Sequence, residues 1–314
     1  MILVTGSSGF VGQALCKRLR QDGMKFRAAV RSGSSTTLPE DVVSVGDLQA
    51  NTDWSAALQG VDVIVHLAAR VHVMQDTSAD PLAEFRRVNV EGTRQLAAQA
   101  VAAGVKRLVF ISSIKVNGES TPPGHPFTAD DAPMPQDAYG ISKREAEDVL
   151  REMAQETGLE VVILRPPLVY GPGVKANFEG MMRWLVKGVP LPLKAVRHNR
   201  RSLVALDNLL DVMVLSLTAP AAAQQTFLVS DGEDLSTAEM LTRMGQALGK
   251  PARLFSVPES WLEFGARVLG KPGVYQRLCG SLQVDIRKTK ERLNWGPRVS
   301  VDEGFARAAR GVLP

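Results

Sequence analysis

Residues 4–12 read Val-Thr-Gly-Ser-Ser-Gly-Phe-Val-Gly, after an apolar run at Ile2–Thr5 and before a helical pattern. The glycine spacing is G-x-x-G-x-x-G. One glycine permits the tight turn out of a strand, another lets backbone approach a pyrophosphate, and the last lets helix and strand pack closely. The helix that follows presents unpaired N–H groups and the positive end of its dipole to an anion. Strand, turn and helix together predict a dinucleotide site, with Gly6, Ser8, Gly9, Phe10 and Val11 as contacts.

Short apolar runs at Phe26–Val30, Val42–Val45, Val61–Leu67, Arg107–Ser112 and Val161–Leu164 continue the strand series. Their near-continuous apolar character is that of parallel strands buried on both faces. Helical patterns at Phe10–Asp22, Pro81–Ala103 and Asp137–Thr157 lie between them and end at Gly23, Gly104 and Gly158, the usual stop. This alternation predicts an α/β protein with a Rossmann doubly wound parallel sheet over residues 1–170. After Arg165 the chain becomes irregular (RPPLVYGPG, KGVPLPLK), then helical at Thr237–Leu248 and Trp261–Leu269. Residues 171–314 are read as a smaller, mostly helical and discontinuous substrate-binding domain, with one strand near 203–230 returning to the sheet. The run Trp261–Leu269 has few charges; core packing is expected of it, with a membrane-surface helix as the alternative.

Composition narrows the function classes. The 314 residues are 45% hydrophobic and 22% charged, as in an ordinary globular enzyme. Lys+Arg exceed Asp+Glu by 37 to 33, a net +4 without basic runs interleaved with aromatics, so no nucleic-acid partner is expected. A small anion held at a few Arg/Lys positions suits the excess better. Two distant cysteines, Cys16 and Cys279, imply no disulfide framework and fit a reducing cytosol. His66, His72, His125 and His198 show no metal-ligand spacing. No stretch of 18 apolar residues suggests a spanning helix, and no charged leader precedes Ile2, so a cytoplasmic location is expected.

The second strand ends at Ala29-Val30-Arg31-Ser32, nineteen positions beyond Gly12 (31 − 12). NAD-preferring folds usually carry Asp or Glu here on the ribose 2′-OH. A guanidinium with a neighbouring hydroxyl instead suits a 2′-phosphate through charge-assisted hydrogen bonds. Arg31 and Ser32 therefore favour NADP, with NAD the other candidate; the bland alternative is a solvated loop arginine. Asp47, before Leu48, either accepts from the adenine amino group or serves a turn. Leu67, Ala68 and Ala69 are small enough in series to let backbone lie against the cofactor. His66 before them is read as packed, and Asn89 as a structural hydrogen-bonding residue.

Tyr139 and Lys143 stand at i and i+4 at the start of a helix, on one face. A tyrosine is a poor base at neutral pH, its free pKa being near ~10. A nearby ammonium and an oxidised nicotinamide would favour the phenolate, letting Tyr139 exchange a proton with an alcohol oxygen. Ser112-Ser113 closes the fifth strand, at the sheet edge where open α/β folds bind ligands.

These motifs resemble the extended short-chain dehydrogenase/reductases, in the nucleotide-sugar epimerase/dehydratase/reductase branch, over essentially the full length. They are TGSSGFVG, GDL at 46–48, HLAA at 66–69, FISSIKVNG at 110–118, YGISK at 139–143, RPPLVYGPG at 165–173 and RRSLVALDN at 200–208. The resemblance implies Tyr139 as acid/base, Lys143 on the nicotinamide ribose, and Ser113 at the catalytic serine position with Ser112 a neighbour. It implies further cofactor contacts at Leu48, Ile111 and Pro166. A UDP-sugar substrate is implied too, its UDP moiety near Asn177 and its diphosphate on Arg201, with Asp207 at the aligned acidic position. A homodimer through the Pro81–Ala103 and Asp137–Thr157 helices is usual for such proteins. Three residues depart from the epimerase pattern: Arg31 replaces an acid, Leu168 a substrate-binding Asn, and Asn117 a common Tyr.

The first function expected is NADP(H)-dependent reduction at C4 of a UDP-linked 4-keto-6-deoxy-HexNAc-type sugar in surface polysaccharide (O-antigen) synthesis. The second is a UDP-glucose or UDP-GlcNAc 4-epimerase that retains NAD(H). A non-catalytic NADP-binding redox sensor is a third, against which the intact Tyr139–Lys143 pair argues.

Overall fold

A computed structural model describes residues 1–31, 41–71, 80–122, 124–270 and 272–312. Ten strands run in chain order: β1 (Ile2–Thr5), β2 (Phe26–Val30), β3 (Val42–Ser44), β4 (Val63–His66), β5 (Arg107–Ile111), β6 (Glu160–Arg165), β7 (Leu168–Tyr170), β8 (Arg201–Ala205), β9 (Gln225–Leu228) and β10 (Asp234–Leu235). Seven form one parallel sheet in the order β3-β2-β1-β4-β5-β6-β9. The winding reverses between β1 and β4, where Thr5 pairs with His66. Ligands of doubly wound sheets bind in the crevice at such a switch point.

The helices are α1 (Phe10–Gln21), α2 (Ser55–Leu58), α3 (Pro81–Phe85), α4 (Gly92–Ala102), α5 (Ala138–Thr157), α6 (Ala176–Val186), α7 (Leu206–Thr218), α8 (Thr237–Ala247), α9 (Glu259–Val268), α10 (Pro272–Cys279), α11 (Arg287–Leu293) and α12 (Val301–Ala309). Central strands are buried on both faces, which is why they read as unbroken apolar runs. Val4, Val65, Val109 and Val162 meet Leu15 and Leu19 of α1 and Leu209 and Met213 of α7. Leu3, Ile64, Leu108 and Val161 meet Leu96 and Ala100 of α4 and Ala146 and Leu150 of α5. A further apolar cluster gathers Tyr170, Phe178, Leu203, Leu241 and Phe305, with the Tyr170 and Phe178 rings stacked 5.3 Å apart.

Two expectations are revised and one is filled in. The helix predicted across Pro81–Ala103 is interrupted: a π-helical turn, Arg86–Glu91, separates α3 from α4. Such a turn inserts one residue into the helix. Here the buried Asn89 amide holds that register, accepting from Arg70 N and donating to Arg70 O and Ser142 Oγ. Asn89 is thus the structural residue it was read to be. The one strand expected to return within 203–230 is β9, beside β6, while β8 in the same stretch joins a small sheet with β7 and β10. Nor is α9 a core helix. It has no buried residue, and Trp261, Phe264, Val268 and Leu269 are 73%, 69%, 69% and 73% exposed. Periodicity reports that a helix has an apolar face; it does not report whether another element covers it.

Candidate active site

The glycine loop is as tight as its spacing implies. Gly6 has φ +67°, and a Cβ there would lie 2.7 Å from Ala68 N; on Gly12 it would lie 2.1 Å from Gly6 O. Gly9 caps α1 without a side-chain hydrogen bond, and the first turn holds no acid. The leading N–H groups of a 12-residue helix therefore stay open to an anion. Ser8 and Gly9 are exposed beside them, with Phe10 and Val11 half-buried. This cradle fits a dinucleotide pyrophosphate.

Beneath it, Thr5 Oγ1 accepts from Leu67 N (3.2 Å) and Ala68 N (3.1 Å). Both its lone pairs being used, its proton goes to His66 Nδ1 at 2.7 Å, which leaves Nε2–H to donate to Thr93 Oγ1 at 3.0 Å. Burial, then the Lys143 charge, push the His66 pKa down to about 3. His66 is packed, as the sequence suggests, and burial keeps it neutral; through Thr5 it holds Leu67 and Ala68 against the loop. Arg31 follows β2 directly, exposed and without an ion pair among the described residues; Ser32 lies outside them. The Asp47 carbonyl accepts from Thr52 Oγ1 (2.6 Å), a turn role, while its carboxylate is exposed. Leu48 packs so closely on α4 that a Cβ on Gly92 would lie 2.5 Å from its Cγ.

Tyr139 and Lys143 occupy the first turns of α5, started by Asp137, whose carboxylate accepts from Gly140 N at 2.7 Å. Asp137 is itself ion-paired to Lys115. Ser113 stands just past β5, accepts from Lys115 N (3.3 Å) and lies near enough to the Tyr139 phenol to pull its pKa down. Burial and then the Asp137 charge push the Tyr139 pKa up to about 12, against the pull of the Ser113 hydroxyl. Burial pushes Lys143 down to about 7, opposed by Glu147. The depressed tyrosine expected from the Tyr–Lys spacing is therefore not found in the chain alone. Desolvation of the phenol and the Asp137 charge outweigh the Ser113 hydroxyl, and burial drives Lys143 itself toward neutrality. Lys143 Nζ lies 3.9 Å above the Phe110 ring and has no hydrogen-bond acceptor among the described residues. A buried ammonium without an acceptor fits the hydroxyls of a ribose.

Glu147 and Arg165 escaped sequence reading. Both are buried, and Arg165 grips the carboxylate through Nε (2.9 Å) and a terminal nitrogen (2.6 Å). Its other terminal nitrogen donates to Asn117 Oδ1 at 2.9 Å. Ser112 Oγ donates to the same carboxylate at 2.5 Å, and Arg151 at 2.8 Å. The serine pair is thereby divided: Ser112 is committed to Glu147, whereas Ser113 meets Tyr139. A signal was available, since Glu147 is four residues beyond Lys143 on the same helix face and Arg165 ends an apolar strand.

Ile111 is half-buried at the end of β5, and the buried Pro166 accepts from Ile114 N at 3.0 Å. Arg201 opens β8, donates to Gly280 O at 3.0 Å, and makes no ion pair among the described residues; burial lowers its pKa. The loop beyond Ser113 reaches toward it, with Thr121 N bonded to Ser281 O and Arg201 bridged to Leu282. Asn177 lies in the first turn of α6, its side chain outside the described residues. Asp207 is paired with Arg307 at 2.8 Å. Among the described residues no His/Cys/Asp/Glu cluster could hold a metal, and no helix is long and apolar enough to cross a membrane.

Comparison with known proteins agrees with this architecture. A UDP-glucose 4-epimerase of Vibrio cholerae is 48% identical across 99% of this chain and 95% of its own. An Escherichia coli O157:H7 protein, N-acetyl-alpha-D-glucosaminyl-diphospho-ditrans,octacis-undecaprenol 4-epimerase, is 27% identical over 86% of this chain and 77% of its own. Among solved structures, UDP-glucuronic acid 4-epimerase from Bacillus cereus in complex with NAD superposes with a TM-score of 0.80 at 22% identity, covering 99% of this chain and 96% of that one. Residues 2–230 match the NAD dependent epimerase/dehydratase family. A doubly wound sheet with an open glycine cradle, carrying a match of that extent, is an extended short-chain dehydrogenase/reductase: the chain belongs to the NAD-dependent epimerase/dehydratase family.

Proposed function

We propose that this enzyme inverts C4 of a UDP-hexose, with UDP-glucose and UDP-galactose the first pair to test. The observation that carries the reading is Ser113 beside the Tyr139 phenol, with a buried, acceptor-free Lys143 one helical turn on and an uncapped α1. The 48% identical relative is named a UDP-glucose 4-epimerase, and the E. coli relative also acts at a sugar C4 by its name. Both support epimerisation over the ketoreductase that the sequence alone favours.

In this reading Ser113 holds the C4 oxygen and Tyr139 takes its proton, then returns it once the opposite face is presented. Lys143 holds the nicotinamide ribose, and the glycine loop with Leu67–Ala69 holds the pyrophosphate side of the cofactor. A bound nicotinamide supplies the hydride acceptor and donor. Residues 171–314 form most of the sugar-nucleotide side, with Arg201 meeting the diphosphate; its half-buried charge, lacking an acid, supports that role. Arg31 favours the second reading, a reductase that exchanges NADP(H) each turnover, because the residue that follows β2 is a guanidinium instead of an acid.

Purified protein should release NAD(H) in stoichiometric amount on denaturation and interconvert UDP-glucose and UDP-galactose without added cofactor. Protein that emerges without cofactor and consumes NADPH only with a UDP-4-keto sugar establishes the reductase instead.

A further inference from the structure

The exposed face of α9 has no part in the site above. Trp261, Phe264 and Val268 fall at i, i+3 and i+7, one stripe of a helix with 3.6 residues per turn, and Leu269 extends it. Glu259, Glu263 and Arg267 take the other side, where Arg267 donates to Glu263. Leu262 turns inward to the cluster around Tyr170 and Phe305. The stripe stands in water at about 70% exposure along its length, although a tenth of that is ordinary for apolar groups this large in a core.

Cations gather by the segment that leads into α9. Phe255, 47% exposed and four residues ahead of Glu259, is backbone-bonded to Leu191 and Lys194. A Cβ on Gly188 would lie 3.7 Å from the Arg253 guanidinium, which puts Arg253 beside Lys187. None of Lys187, Lys194 and Arg253 makes an ion pair among the described residues.

We propose that α9 is an interfacial helix that seats the enzyme on an anionic phospholipid surface. Trp, Phe, Val and Leu on one side of a short helix enter the headgroup boundary, and flanking Lys and Arg meet the lipid phosphates. Area argues for lipid over a second copy of the chain. With an aromatic side chain covering about 150–250 Å², the stripe offers roughly 500 Å². That is a large patch for a monomer but short of the ~800 Å² per partner of a stable dimer. The proposal stands apart from the C4 chemistry, and its test does not read that reaction alone.

Sedimentation with vesicles is the direct experiment. The enzyme should pellet with phosphatidylethanolamine vesicles containing one-third phosphatidylglycerol, and far less with phosphatidylcholine or in high salt. Trp261→Ser with Phe264→Ser should lower the partition coefficient about tenfold or more. Lys187→Gln with Lys194→Gln should lower it about tenfold on anionic vesicles. Turnover of a soluble UDP-sugar should be unchanged in both, since these residues lie outside the catalytic and binding groups. A Trp184→Phe background leaves Trp261 as the exposed indole, and its quenching by brominated lipid tests the contact without altering the stripe. The proposal is overturned if the wild type stays in the supernatant with both vesicle types, or if the Trp261/Phe264 substitutions leave pelleting unchanged. It is overturned equally if those substitutions turn a dimer into a monomer in sedimentation velocity while vesicles remain unbound, which would assign the face to a second copy.

Discussion

Replacing Glu147 by Gln removes the negative charge on which Arg165, Ser112 and Arg151 converge. Arg165 is 1% exposed, so its guanidinium would be left with Asn117 as its one full partner among these groups. Breaking a buried ion pair by removing one member costs about 3–5 kcal/mol. Arg151 is a third exposed and adds little to that figure. With an unfolding entropy of about 2.1 cal/mol/K per residue, a chain of this length melts about 5–8 °C lower. Differential scanning calorimetry at pH 7 reads the shift. The pH dependence supplies a second check. Arg165, its hydrogen bond first and its charge next, holds the Glu147 carboxyl below the ordinary value of 4.5 despite burial. A depressed carboxyl stabilises fully above its unfolded pKa and loses that contribution as pH falls through its folded pKa. The gap between wild type and Glu147→Gln should therefore be full at neutral pH and narrow below about pH 4.5. Glu147→Leu combined with Arg165→Met should cost less than Glu147→Leu alone, because no charge is then stranded. A loss under about 2 °C for Glu147→Gln, or a gap indifferent to pH, refutes the account of this network.

Three further changes address the site itself. Tyr139→Phe should lower kcat about 10²–10⁴-fold in the epimerase assay, with the melting temperature and bound cofactor retained; unchanged turnover removes Tyr139 from proton transfer. Gly12→Ala drives a methyl to 2.1 Å from Gly6 O and should abolish cofactor retention, whereas Gly180→Ala, which meets nothing within 4 Å, should be silent. Arg31→Asp should shift the NADH to NADPH preference about tenfold or more toward NADH, measured by competitive binding; an unchanged ratio means Arg31 does not face the 2′-phosphate position.

Much of the cofactor half was legible before any coordinates. Glycines at 6, 9 and 12, buried β-branched strands and the Tyr139–Lys143 spacing are local statements: each follows from one turn, one pleat or one helical repeat. The places where sequence reading fell short depend on what approaches from elsewhere in the chain. The π-helical turn at Arg86–Glu91 exists where Asn89 meets Arg70 and Ser142. Ser112 and Ser113 are chemically alike, and only the arrival of Glu147 on one and Tyr139 on the other tells them apart. The Tyr139 pKa rises instead of falling because desolvation, a property of the whole surrounding fold, exceeds the pull of the Ser113 hydroxyl. On α9 the sequence determined an amphipathic helix, and the tertiary structure decided that Leu262 turns inward while Trp261, Phe264 and Val268 stay exposed. Local pattern sets conformation within a turn or two of chain; burial, pairing and charge balance are settled by groups distant in sequence, and they exist only once the chain has closed on itself.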